Sequence, residues 1–98
     1  MQIGVHSTIT WDVADRERVI GYAAAQQDAT RALPGCLACW WTADLDDPAV
    51  FHEWEWWESE DAFQNHVRNG PKFPAEARAL IRRALAYRYA IESVTKLH

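Results

Sequence analysis

The chain has little with which to build a conventional cofactor site. It contains two cysteines and four histidines, with no second Cys pair and no His-x-x-x-His run to complete a tetrahedral metal site. Its four glycines form no phosphate-cradling loop. No apolar run approaches membrane-spanning length, and Met1-Gln2-Ile3-Gly4 leads straight into an alternating segment rather than a signal peptide. A cytoplasmic protein that spans no membrane is therefore expected. Positive charge is also scarce: ten Lys and Arg against fourteen Asp and Glu leave a net charge of −4, which argues against nonspecific nucleic-acid binding. The one basic group, Arg78, Arg82 and Arg83, reads as the solvated face of a helix.

Tryptophan, by contrast, is abundant. Six indoles in 98 residues exceed what one thin core can hide, so a ligand or a second subunit is expected to cover some of them. The length allows one compact domain, 1–98, and not two. Cys36 and Cys39 form a C-x-x-C, but their neighbours read as a strand, where positions three apart face opposite ways. Two small, half-buried core residues are expected rather than a redox or zinc pair.

Residues 2–11 alternate, with Ile3, Val5, Ile9 and Trp11 on one side and His6, Thr8 and Thr10 on the other, which predicts a strand. Asp12 or Asp15 can cap the helix that follows, whose stripe of Val19, Tyr22, Ala23, Ala29 and Leu33 ends at Pro34-Gly35. Strands are predicted at about 36–43 and 49–58, joined as a hairpin by Asp44-Leu45-Asp46-Asp47-Pro48. Ser59 suits the N-cap of a second helix closed by Gly70-Pro71. Pro74 opens a further helical leg with Ala77, Leu80, Ile81, Ala84 and Leu85 at helical spacing. From Tyr87 the period turns to two and continues to Leu97.

This order is β-α-β-β-α-β, a ferredoxin-like α+β fold with a four-stranded antiparallel sheet and helices on one face. The other face is bare in a monomer. On the third strand Val50, His52, Trp54 and Trp56 share one side, and Phe51, Glu53, Glu55 and Trp57 the other, so neither side reads as solvated. A homodimer packed sheet against sheet answers this.

Several motifs resemble the antibiotic biosynthesis monooxygenase (ABM) family of small proteins that form dimeric α+β barrels. They are Pro34-Gly35-Cys36-Leu37, Asp47-Pro48, Glu55-x-Trp57, Ala62-Phe63-x-x-His66 and Pro71-x-Phe73. The resemblance implies a ligand pocket between the sheet and the helices, with Trp57 on its wall. Glu53 matches a position where polyketide oxygenases of the group carry Asn, Phe63 an aromatic position, and Arg78 a pocket Arg. Lys72 stands where a second His is common. The implied reaction is a cofactor-independent monooxygenation of a phenolic or polycyclic aromatic compound by O2, with Trp57, Glu55, Glu53 and His66 as catalytic candidates. Phe63, Arg78, His6, Phe51 and Phe73 are the substrate-binding candidates, and no metal ligand is assigned.

The chemistry matches the residue types. A glutamate desolvated among indoles has a raised pKa and can serve as a base near neutrality, a histidine does so at its ordinary pKa, and a tryptophan stacks on an aromatic substrate. Two alternatives stand beside this reading: a non-catalytic protein of the same fold that binds a small hydrophobic ligand or serves assembly, and a heme-binding or heme-degrading protein. His6 lies near a polar heme-pocket position of such relatives, but Pro74-Ala75-Glu76-Ala77-Arg78-Ala79 offers no iron-ligating His.

Overall fold

A computed structural model describes all 98 residues, Met1–His98. Strand β1 (Gln2–Thr10) leads through a turn of 3-10 helix at Val13–Asp15 into α1 (Arg16–Arg31). The Asp12 carboxylate caps that turn, accepting from the Ala14 N–H at 2.9 Å, whereas Asp15 makes no side-chain cap. The buried stripe of α1 is Val19, Ala23 and Thr30; Ala29, expected on it, faces solvent. Gly35 then turns the chain at φ 79°, where a Cβ would come within 2.5 Å of Ala62, so only glycine lets this loop lie against the second helix.

Strands β2 (Cys36–Ala43) and β3 (Val50–Trp57) form the expected hairpin, its turn held by Asp44 Oδ2 accepting from Asp46 N at 3.1 Å and Asp47 N at 2.9 Å. Ser59 Oγ accepts from Ala62 N at 3.1 Å and starts α2 (Glu60–Asn69), with Glu60 and Asp61 at its positive end. A single turn, α3 (Ala75–Arg78), precedes β4 (Arg83–Ile91). The antiparallel sheet has the order β2-β3-β1-β4, the ferredoxin-like arrangement, with the helices on one face. No helix is long and apolar enough to cross a membrane.

The last third departs from the sequence reading. The helical leg after Pro74 is one turn, and Ala84 and Leu85 belong to β4, which begins four residues before Tyr87 and ends at Ile91 instead of Leu97. The cause is the length of its partner. β4 pairs with β1 from Thr10↔Arg83 to Gln2↔Ile91, so every β1 position in the ladder is matched and nothing remains for residues beyond Ile91 to pair with. Arg78, Arg82 and Arg83 accordingly fall on α3, a connection and β4; they are exposed but share no helix face.

A second departure is a bulge in β2. Cys36 pairs with Trp57 and Cys39 with Glu55, the register shifting between Cys36 and Ala38. Trp57 and Glu55 share the helix-facing side of the sheet, so both thiols lie on that side, contrary to the expectation from an unbroken strand. They remain free thiols, and no His, Cys, Asp or Glu side chains group in threes at metal-ligand distances.

The core between sheet and helices is built on Ile9, Trp11, Val19 and Phe51, with Trp41, Phe73, Leu80 and Ile81 packed against it. On the opposite face Trp40, Trp54, Leu85, Tyr87 and Tyr89 stand exposed.

Candidate active site

The alternation of β3 sends two carboxyl groups, Glu53 and Glu55, inward, where they are only 9% and 8% exposed. Burial of an ionised carboxylate is tolerated only with donors around it. Glu55 has them: its Oε1 accepts from Trp57 Nε1 at 2.8 Å and lies 3.4 Å from His66 Nε2. The His66 ring stacks on the Trp57 indole, centroids 4.8 Å apart and planes 20° apart. His66 reaches this place because α2 starts at the end of β3 and runs back across the sheet. At the far end of that helix Gly70 leaves room for it, since a Cβ there would sit 2.4 Å from His66 Nδ1.

The two carboxyls are driven apart electrostatically. Burial pushes Glu53 up to about 9, helped by the charge of Glu55 and by a hydrogen bond to it. Burial also pushes Glu55 up, but hydrogen bonds from His66, Glu53 and Trp57 outweigh it and hold Glu55 below the ordinary carboxylate value, so the raised value expected of a desolvated glutamate is met by Glu53 and not by Glu55. The Trp41 indole N–H lies near enough to Glu53 to favour its anion slightly but completes no hydrogen bond. Burial likewise raises the Cys36 thiol and pushes that of Cys39 to about 12, so neither is a ready thiolate.

Glu53, Glu55 and His66 open onto a cleft of about 240 Å³ whose apolar walls are Ile9, Trp41, Phe73 and Ile81. Gln26 and Lys72 stand on its rim. Gln26 Nε2 donates to the Pro71 carbonyl at 2.8 Å and ties α1 to the segment carrying Phe73, while Lys72 Nζ donates to the Val67 carbonyl at 2.7 Å. Phe73 meets Trp11 and Trp41, with ring centroids at 5.9 Å and 5.4 Å.

Of the residues singled out in the sequence, the cleft gathers Glu53, Glu55, His66 and Phe73. Trp57 is wholly buried behind Glu55 and touches the cleft only through it. The others lie elsewhere. Phe63 sits under the Arg88 guanidinium at 5.3 Å, Arg78 is exposed on α3, and Phe51 is in the core beneath Arg16 at 5.1 Å. His6 occupies the opposite face of the sheet, stacked on Trp54 at 3.9 Å and hydrogen-bonded at 2.9 Å to His52, which in turn meets Asp44 at 2.8 Å. Reading the sequence missed Trp41, Ile81 and Ile9 as wall residues and Gln26 on the rim. Trp41 pairs with Glu53 across the hairpin, a signal available only once the register is known.

A ferredoxin-like sheet carrying a carboxylate, imidazole and indole beneath an apolar cleft defines a small α+β protein with a ligand-sized pocket on its helix side. The antibiotic biosynthesis monooxygenase family model matches residues 3–83, and the chain belongs to that family. Its fold is similar to that of Rv0793 from Mycobacterium tuberculosis, with a TM-score of 0.84 at 19% identity over 98% of this chain and 100% of that one. PA3566 from Pseudomonas aeruginosa gives 0.79 at 21% identity, covering 94% and 95%. A provisionally assigned antibiotic biosynthesis monooxygenase from Deinococcus radiodurans gives 0.82 at 19%, covering 100% and 99%. A search of curated protein sequences finds no match.

Proposed function

We propose that the chain is a cofactor-independent monooxygenase that oxidises a phenolic aromatic compound with O2 in the cleft between β3 and α2. The observation carrying this reading is the Glu55 carboxylate, oriented by Trp57 and His66 and buried at the mouth of an apolar cavity. Glu55 backed by His66 is the base that removes the phenolic proton. The resulting electron-rich anion passes one electron to O2, and the phenoxyl and superoxide radicals combine to form a C–O bond. Loss of the ring C–H proton breaks the O–O bond and releases a quinone and water. The apolar walls Ile9, Trp41, Phe73 and Ile81 offer the substrate ring a surface to pack on. At about 240 Å³ the cleft suits a compound of few rings better than a large polycycle.

The chain acts as a homodimer in this reading. The exposed Trp40, Trp54, Leu85, Tyr87 and Tyr89 support a sheet-to-sheet contact, because an apolar surface of this kind is rarely left in water.

Oxygen uptake by the purified, chelator-treated protein with anthrone and substituted hydroquinones as probes tests the reaction. Uptake above the spontaneous rate, lowered about 10²–10⁴-fold in Glu55→Gln, supports it. Uptake that is unaffected by Glu55→Gln, or absent with every probe, overturns it.

A further inference from the structure

Glu53 and Glu55 are buried two residues apart on one side of β3, line the same cleft and are hydrogen-bonded to each other, but the donors around them are shared unequally. Trp57 Nε1 and His66 Nε2 both address Glu55. Around Glu53 every candidate cation has another partner. Arg31 of α1 donates to the Cys39 carbonyl at 2.7 Å, and Lys72 from the connection after α2 donates to the Val67 carbonyl at 2.7 Å. Gln26 of α1 is uncharged and spent on the Pro71 carbonyl. From β2, Glu53 is faced by the Trp41 indole and the un-ionised Cys39 thiol, with Cys36 further along; from β1 its register partner is the neutral Ser7. An anion at Glu53 would have the Glu55 charge as its closest charged neighbour on the strand and no ion pair to answer it, the contact with His66 going to Glu55. One proton must stay with the pair, and the geometry puts it on Glu53, pointing to Glu55.

We infer that Glu53 is a positioning residue that works as an uncharged acid, its O–H donating to Glu55 and holding that carboxylate against His66 and Trp57. The role rests on the assignment of Glu55 as the base. It has a consequence that a merely structural carboxyl lacks. An amide at position 53 supplies the same donor and cannot ionise, whereas ionisation of Glu53 places a second negative charge beside the base and disrupts the site. Glu53 thus sets the upper pH limit of the site.

Two measurements need no substrate. In an infrared titration the wild-type protein is expected to show a buried protonated-carboxyl C=O stretch at neutral pH that disappears only near pH 9, where Glu53 ionises. Glu53→Gln is expected to lack that band and Glu55→Gln to keep one. In NMR spectra the His66 ring protons are expected to show an inflection near pH 9 in wild type that Glu53→Gln abolishes, because that ionisation is felt through Glu55. With the anthrone probe, Glu53→Gln is expected to lose the wild-type decline at alkaline pH and to lower turnover at neutral pH far less than Glu55→Gln does. Absence of the band at neutral pH, its survival in Glu53→Gln, or persistence in that variant of the inflection near pH 9 overturns the inference. A Glu53→Gln turnover as low as that of Glu55→Gln also overturns it. Failure of every probe to react with wild type would sink the oxygenase reading instead, leaving the infrared and NMR results to decide the role of Glu53.

Discussion

His66 lies flat against Trp57, centroids 4.8 Å apart, while both rings address the same oxygen of Glu55. The stack and the shared acceptor constrain each other: moving either ring costs the Glu55 carboxylate a donor. A residue buried at the end of a strand and another on the following helix are in this way made into one unit.

Trp57→Phe tests that unit, because it keeps a ring for His66 to stack on and removes only the indole N–H and part of the volume. Loss of one hydrogen bond to a buried charged group should destabilise the protein by about 1–3 kcal/mol, read as a lower urea midpoint at neutral pH. Turnover of a reactive probe should fall as well, since Glu55 loses its orienting donor. An unchanged midpoint would mean that the bond contributes nothing.

Stability should depend on pH through Glu53. Its folded pKa of about 9 stands above the ordinary value of 4.5, so the folded state holds a proton that the unfolded chain releases. The contribution is complete below the ordinary value and is lost as pH rises towards 9, by on the order of 1 kcal/mol per pH unit. Glu53→Gln removes this loss. Its urea midpoint should gain on wild type steadily between about pH 5 and about pH 9. Glu55 acts in the opposite sense: its pKa is lowered, so its contribution is present above the unfolded value and fades as pH falls through the folded one. A midpoint difference that does not change with pH would remove Glu53 as the cause.

Gly70→Ala should disturb the site from a distance. The added methyl would lie 2.4 Å from His66 Nδ1 and 2.5 Å from the His66 carbonyl oxygen, so the helix end or the imidazole must shift. A loss of about 1–3 kcal/mol is expected, together with altered NMR shifts of the His66 ring. Wild-type stability and an unmoved His66 spectrum would show that the helix end yields freely.

The open sheet face should hold two chains together. Sedimentation at micromolar concentration is expected to give twice the 11.3 kDa chain mass, and Trp54→Glu with Tyr87→Glu should shift it towards the monomer or unfold the protein. A wild-type monomer that is stable and soluble at that concentration would rule the dimer out.

Much of the fold was readable because strand alternation is a local property. Phe51, Glu53, Glu55 and Trp57 share a side for no reason beyond the two-residue period, and that side is the one the helices cover. The caps were equally local: Asp12 and Ser59 act on N–H groups two and three residues ahead. The reading failed where helical spacing and strand pairing competed, from Leu80 to Leu85. Apolar residues three and four apart suit an isolated helix, but the unpaired edge of β1 offered a full ladder of hydrogen bonds, and that longer-range gain prevailed.

For the site, the sequence determined the chemistry available: two inward carboxyls, an indole at the end of the strand and a His on the next helix. Which of these meet was decided only by tertiary structure. Trp41 stands opposite Glu53 because of the hairpin register, the two cysteines share a face because of a bulge, and His6 and Arg78 fall outside the cleft because the sheet and the shortened α3 carry them away. The physical reason is the same in each case. The face a residue occupies follows from its own strand, but its neighbour across the sheet follows from pairing, and pairing is settled by the whole set of backbone hydrogen bonds and buried side chains at once.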